Sequence, residues 1–395
     1  MRVPLLDLSQ QYAALAEPIR AAVDEVLATQ NFILGPKGEA FEKAIADYCD
    51  APQAIGVSSG TDALLAVFMA MDLRAGDAVI TSDYSFFASG SCIARVGATP
   101  VFIDIDPATY NISPDALERY LTESCRQDAD GCLRTPKGDR VRALLPVHLY
   151  GLCCEMDAIL GIARRFKLDV IEDAAQALGA EYPSAKGKAK AGAIGDVGTF
   201  SFYPSKNLGA AGDAGMIVCR DETFAKRVRV CRQHGMEPRY YHHFIGGNFR
   251  LDEIQAAILA VKFPYLDEWS AARRRVADRY GEEFRRAGLT DRIKLPAEPY
   301  RDRGLTNHHI YHQYIIRAPR RDALRDYLTQ KEIGTAIYYP LALHEQECFR
   351  YLGYSAGGFP QAESAARDTL ALPNYPELTP EAQQYVVESI AAFFS

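Results

Sequence analysis

Four short segments of the chain carry residue types that could do chemistry, and each follows an apolar run. In Ser201-Phe202-Tyr203-Pro204-Ser205-Lys206-Asn207 an apolar strand ends at Pro204 and a lysine stands just beyond. Strand ends are where ligands collect in α/β sheets. A desolvated lysine there can be a free, nucleophilic amine, although a lysine in this place also reads as an ordinary loop residue. Glu172 and Asp173 close the run Val170-Ile171. Two carboxylates beside a hydrophobic strand are costly unless they are paired or used. Asp173 could hold a ring nitrogen protonated, or cap a helix starting at Ala174-Ala175. Ser58-Ser59-Gly60-Thr61-Asp62 lies between a strand and a helix, where a glycine and the first free N–H groups suit a phosphate. The same serine and threonine also suit plain helix capping. Asp83-Tyr84-Ser85-Phe86-Phe87 puts aromatic rings at a further strand end, to stack on a flat ring or to pack in the core.

Positioning these segments together requires alternating strands and helices. The pattern predicts strands at 54–57, 78–81, 100–105, 144–148, 170–173, 197–203 and 215–219. Helices are predicted at 17–29, 39–48, 61–73, 86–96 and 156–166. This is the rhythm of an α/β protein with a mostly parallel sheet. After about residue 250 a long helix-rich stretch, 250–280, leads into smaller units. These are a strand at 312–317, a helix at 320–331, a strand at Ala336–Tyr339 and a closing helix at 380–394. The expected division is a large domain, 1–250, and a connecting helix with a smaller C-terminal α/β domain, 251–395. Residues 123–140 are polar and hold Gly131, Pro136 and Gly138, as an exposed loop does. Read together, the four segments supply a phosphate cradle, a ring platform, a carboxylate for a ring nitrogen and a lysine. Those are the parts of a pyridoxal-phosphate (PLP) site.

The order of further motifs resembles the DegT/StrS family of sugar aminotransferases. It runs through Ser59-Gly60-Thr61-Asp62-Ala63-Leu64, Val147-His148-Leu149-Tyr150-Gly151, Glu172-Asp173-Ala174-Ala175-Gln176, Gly198-Thr199-Phe200-Ser201-Phe202 and Lys206-Asn207. It continues through Gly247-Asn248-Phe249-Arg250-Leu251, Gln255-Ala256-Ala257-Ile258-Leu259 and Tyr338-Tyr339-Pro340 to His344, so it spans nearly the whole chain. The resemblance implies a fold type I PLP-dependent transferase. It implies that Lys206 holds the cofactor as a Schiff base and shuttles protons, and that Asp173 pairs with the pyridine nitrogen. By the same likeness Gln176 lies by the ring hydroxyl, the Gly60-Thr61 backbone and Ser201 bind phosphate, and Phe86 stacks on the ring. Asn248 reaches the cofactor phosphate of a second subunit, which implies a homodimer with shared sites. Tyr338 and His344 line the sugar-nucleotide side. The implied reaction is ping-pong transfer from L-glutamate through the amine form of the cofactor (PMP) to a keto sugar on a nucleotide. Two departures from the family pattern stand out. The run Gly209-Ala210-Ala211-Gly212-Asp213-Ala214-Gly215 is poorer in glycine, and the loop at 123–140 is longer.

Composition narrows the rivals. The chain has 395 residues, 48% hydrophobic and 24% charged, with a net charge of −7, which gives no footprint for nucleic acid. No run approaches the roughly 20 apolar residues of a membrane span, and the first residues do not read as a signal peptide. Nine cysteines without a repeated spacing fit reduced thiols in a cytoplasmic protein and suggest no metal site. No Gly-x-Gly-x-x-Gly follows the first strand, which removes a dinucleotide oxidoreductase. Lysine rather than histidine at 206 points away from the dehydratases that resemble this family. A keto-inositol aminotransferase and a non-catalytic regulator that keeps the fold remain as alternatives. Tyr240-Tyr241-His242-His243 resembles the 3-aminating branch more than the 4-aminating one.

Overall fold

In the computed structural model, which describes residues 1–185 and 187–395, the main sheet has seven principal strands. They are β1 (Gln53–Val57), β2 (Asp77–Ser82), β3 (Thr99–Ile103), β4 (Arg140–Leu145), β5 (Asp169–Asp173), β6 (Val197–Ser201) and β7 (Gly215–Cys219). Their order across the sheet is β1-β7-β6-β5-β4-β2-β3. The pairs β2–β3, β2–β4, β4–β5 and β5–β6 are parallel, while β7 runs antiparallel to both β6 and β1. The carboxyl ends of β1, β2, β5 and β6 therefore lie on one edge. The strands read as near-continuous apolar runs because both faces are covered. On one face, helix Gly60–Ala70 (α3, the third helix along the chain after Ser9–Thr29, α1, and Pro36–Cys49, α2) packs Leu64, Val67 and Phe68 with Ile55, Val79, Ile171 and Ile217. On the other, Ile80, Leu144, Val170, Phe200 and Met216 meet Phe41, Ile159 and Leu259.

The C-terminal part has its own core. A long helix, Leu266–Arg286, contributes Val276, Tyr280 and Phe284, which pack with Leu324, Leu328, Val386 and Ile390. Strands β8 (Tyr314–Arg317) and β9 (Thr369–Leu372) pair antiparallel beside it. The chain crosses the expected boundary near residue 250 in both directions. Val3 joins the C-terminal core and bridges Ile333, while helix Glu253–Lys262 packs on helices Ser9–Thr29 and Pro36–Cys49. The buried Glu253 carboxylate accepts from the backbone N–H groups of Gly35, Lys37 and Gly38. It thus caps the second of these helices from 215 residues or more away in sequence.

Three expectations need correction. The strand at Ala336–Tyr339 is reduced to a bridge between Ala336 and Ala371. The carbonyl of Tyr338 is taken instead by the hydroxyls of Tyr84 and Tyr150, so side chains replace a ladder. The stretch 250–280 is not one helix but two, parted at Phe263–Tyr265, where Pro264 sits. Residues 123–140 are not wholly irregular. The short strands Arg126–Gln127 and Leu133–Arg134 form a hairpin that extends the sheet from β4. Among the described residues no helix is long and apolar enough to cross a membrane.

Successive residues of a strand face opposite sides, and at the end of β5 this separates two carboxylates. Glu172 turns away from the strand-end cleft and is fully buried. It accepts from the N–H groups of Gly192, Ile194 and Gly195 at 2.9, 2.7 and 2.6 Å. His148 completes the set at 2.7 Å from Nε2. The N–H of Cys154 donates to His148 Nδ1 at 3.1 Å, so Nε2 carries the hydrogen. Glu172 thereby fixes the turn that enters β6, the strand that leads to Lys206. Glu172→Ala strands four donors, three of them buried. It is expected to lower stability by about 3 kcal/mol, read as a shift in the urea midpoint; superimposable unfolding curves would show that the network contributes nothing.

Candidate active site

A cavity of about 520 Å³ opens at the carboxyl edge of the sheet, and the four segments singled out in the sequence meet in it. At one end is the N-terminus of α3. Ser59 accepts from the N–H of Asp62 at 3.0 Å, so the capping reading of this serine is correct. The cap leaves the N–H groups of Gly60 and Thr61, at the first helical positions, free of helical partners. A Cβ on Gly60 would stand 2.7 Å from Ser201 Cβ, and one on Gly215 would stand 2.5 Å from the backbone of Ser59. Glycine at both places lets β6 and β7 press against the turn, which brings Ser201 beside these amides. The result is a cradle of N–H and O–H donors of the size and polarity a phosphate needs.

The aromatic wall is Phe86. It is 54% exposed and lines the cavity, 5.9 Å from the ring of Tyr339. Tyr84 is fully buried, with its hydroxyl on the Tyr338 carbonyl, and Phe87 packs on Phe349. Neither borders the cavity. Asp173 lies deeper. Ser89 donates to its Oδ2 at 2.7 Å, and the N–H of Ala175 donates to Oδ1 at 3.2 Å. No helix follows Asp173, which corrects the helix-cap reading: one carboxylate oxygen closes a turn onto Ala175 while Ser89 steadies the other. Gln176 accepts from the N–H of Tyr150 at 2.7 Å and donates to the Tyr339 hydroxyl at 3.1 Å.

Lys206 is half-buried on the cavity wall, just past the turn that Pro204 begins. Among the described residues its Nζ makes no hydrogen bond or ion pair. Burial lowers its pKa to about 8, with the carboxylate of Asp173 pulling weakly the other way. Desolvation thus raises the share of free amine near neutrality, to about a tenth at pH 7.

Two expected site residues stand elsewhere. His344 does not line the cavity and is a correction to the sequence reading. Its backbone N–H and Nδ1 bind the buried carboxylate of Asp83 at 2.9 and 2.6 Å, which turns the ring into the core. Asn248 is exposed and outside the cavity, on a segment bridged to Gln233. Tyr338 does border the cavity. The sequence reading missed Ser89, Tyr339 and His312. A helix serine and a tyrosine beside the recognised Tyr338 carry little signal alone, but His312 follows an unusual run, Asn307-His308-His309-Ile310-Tyr311.

The sheet order, with its site at the carboxyl edge, is that of fold type I PLP-dependent transferases, and the cavity fits the cofactor's phosphate, ring and aldehyde ends. The chain belongs to the DegT/DnrJ/EryC1/StrS aminotransferase family, whose model matches residues 14–391. It is 47% identical over 394 residues to a protein of Geobacillus stearothermophilus called a pleiotropic regulatory protein, covering 100% of this chain and 99% of that one. It is 38% identical to a UDP-N-acetyl-3-dehydro-α-D-glucosamine 3-aminotransferase of Acidithiobacillus ferrooxidans, covering 96% and 94%. The crystal structure of NtdA from Bacillus subtilis, solved with bound PMP, superposes with a TM-score of 0.85 at 32% identity, covering 98% of this chain and 84% of that one. The protein is a PLP-dependent aminotransferase. In cofactor-free protein, an amine-selective label read by mass spectrometry should modify Lys206 with a midpoint near pH 8. Solvated lysines should need about pH 10. A Lys206 midpoint matching theirs would contradict its desolvation.

Proposed function

We propose that the enzyme moves an amino group from L-glutamate to a keto sugar carried on a nucleotide, with 3-keto sugars favoured over 4-keto. This would serve amino-sugar biosynthesis for a surface polysaccharide or a secondary metabolite. The observation that carries the reading is the free amine of Lys206 in one cavity with Asp173, Gln176 and the Ser201 cradle. The 3-aminotransferase among the relatives supports the sugar assignment. When bound, PLP supplies an electron sink beside the reacting carbon. Asp173 would keep that ring's nitrogen protonated, and Ser89 and Ala175 hold the carboxylate in place for it. With the cofactor in place, Lys206 Nζ would remove a proton from the donor's α-carbon, hold it, and supply one to the keto sugar's carbon in the second half-reaction. Phe86 and Tyr339 wall the ring side of the cavity and limit water there.

A purely regulatory role, which the name of the Geobacillus relative suggests, needs no lysine with a depressed pKa in a cavity with a carboxylate. Keto-inositol is the alternative acceptor. The deciding experiment loads the protein with PMP and offers 3-keto nucleotide sugars, 4-keto nucleotide sugars and keto-inositol, following return of the PLP spectrum. Response to a 3-keto nucleotide sugar is expected; response to keto-inositol alone overturns the nucleotide-sugar assignment.

We also infer a homodimer in which Asn248 reaches the partner's cofactor phosphate. Tyr240, Tyr241 and Ile245 are 74%, 68% and 85% exposed on the same segment, an apolar display that suits a second copy. Sedimentation of the loaded protein should give twice the chain mass, and a monomer at working concentration would rule this out.

A further inference from the structure

Tyr84 follows closely on the end of β2, and its side chain is fully buried. A buried phenol needs partners for its hydroxyl. This hydroxyl takes both polar groups of a single peptide unit. It donates to the carbonyl of Tyr338 at 2.8 Å and accepts from the N–H of Tyr339 at 2.8 Å. Thr369 Oγ1, at the start of β9, lies 2.9 Å from it. The hydroxyl of Tyr150 also donates to the Tyr338 carbonyl. Burial pushes the Tyr84 phenol up, so it keeps its hydrogen near neutrality.

The peptide so held joins two residues of the cavity wall. Tyr338 and Tyr339 both line the cavity, whereas Tyr84 does not. The ring of Tyr339 stands 5.9 Å from that of Phe86 and 6.3 Å from that of Tyr84. Its hydroxyl accepts from Gln176 Nε2 at 3.1 Å, and Gln176 accepts in turn from the N–H of Tyr150 at 2.7 Å. Tyr84 belongs to the turn that also presents Phe86 and leads to Ser89, the donor to Asp173. One hydroxyl therefore fastens the C-terminal wall to the segment that bears the ring platform and steadies the acid.

We propose that Tyr84 is a positioning residue for the keto acceptor: through the Tyr338–Tyr339 peptide its hydroxyl sets where the Tyr339 side chain stands on the cavity wall, and so shapes the surface that the larger substrate must meet. No covalent bond changes and no proton moves. The proposal rests on the keto-sugar reading for the identity of that substrate. Both half-reactions share one cavity of about 520 Å³. An amino acid fills little of it and can bind without this wall. A sugar on a nucleotide fills far more and leans on it. Contacts with the wall are made before and during reaction alike, so displacing the wall raises KM more than it lowers kcat.

Y84F, which removes one oxygen and keeps the ring, is compared with Y339F and with the double variant. In cofactor-free protein, Y84F should speed hydrogen exchange at the Tyr339 amide by about tenfold or more, with the amides of β5 and β6 unchanged. In PMP-loaded protein, Y84F should raise KM for a 3-keto nucleotide sugar about tenfold, with kcat within about twofold. The L-glutamate half-reaction of PLP-loaded protein should stay within about twofold. In the Y339F background, Y84F should add less than about twofold to the acceptor KM, because it acts through Tyr339. If Y84F proves insoluble, Y150F, which removes the other hydroxyl from the same carbonyl, takes its place with the same expectations. The proposal is overturned if exchange at the Tyr339 amide is unchanged, if the acceptor KM stays within about twofold, if both half-reactions fall alike, or if Y84F costs as much without the Tyr339 hydroxyl as with it. Failure of the substrate reading has a different signature: wild-type protein would return no PLP spectrum with any keto nucleotide sugar, while the exchange comparison would still decide whether Tyr84 holds the wall.

Discussion

The site depends on the common direction of four strands. Because β1, β2, β5 and β6 run the same way, their carboxyl ends share an edge, and the turns that follow them meet in one cavity. A one-residue slip in β5 would exchange Glu172 and Asp173 between the two faces of the sheet. The exchange would leave a carboxylate buried without its donors on one side and the cavity without its acid on the other. The Glu172 network is what holds that register, since its four donors come from the entry to β6 and from the loop after β4. Glu172 thus secures the position of Asp173 on the cavity side.

Strand direction also accounts for the glycines at the phosphate end. Gly60 and Gly215 sit where two neighbouring strand ends press on one helix start, and any side chain there would separate them. The small-domain wall is built differently. Hydroxyls of Tyr84 and Tyr150, from the large sheet's loops, hold the carbonyl of Tyr338, and the Asp83–His344 pair fastens the segment a few residues further on. The turn that carries Phe86 and the segment that carries Tyr339 are therefore one hydrogen-bonded unit.

Much of this was legible in the sequence, for a physical reason. Parallel strands buried on both faces announce themselves as apolar runs, and the residue types that interrupt a run at its end are few enough to notice. Lys206, Asp173, Gly60 and Ser201 were visible because each breaks a hydrophobic pattern. Ser89 was not, because a serine on a helix breaks nothing, and its bond to Asp173 joins residues 84 apart in sequence. His344 was misplaced because its motif could be read while its partner could not: nothing local shows that Asp83 is buried and needs a donor. The strand expected at Ala336–Tyr339 failed on the same ground, since the hydroxyls that satisfy Tyr338 come from far along the chain.

A depressed lysine pKa does not by itself mark a catalyst, and this chain holds its own control. Lys262 is also buried, and burial lowers it too to about 8. Its Nζ, however, is bound to the carbonyl of Gly209, in the loop that follows Lys206, and it lies outside the cavity. A Cβ on Gly209 would come within 2.2 Å of the Pro204 carbonyl, so the loop doubles back tightly there, and Lys262 holds it at the turn. Burial lowers the pKa of both lysines, which differ in what surrounds the amine. Lys262 spends its hydrogens on a fixed carbonyl, which makes it a strut. Lys206 keeps its amine uncommitted, opposite a carboxylate and beside a neutral imidazole. That difference in partners, and not the shift both share, separates a strut from an amine left open to the cavity.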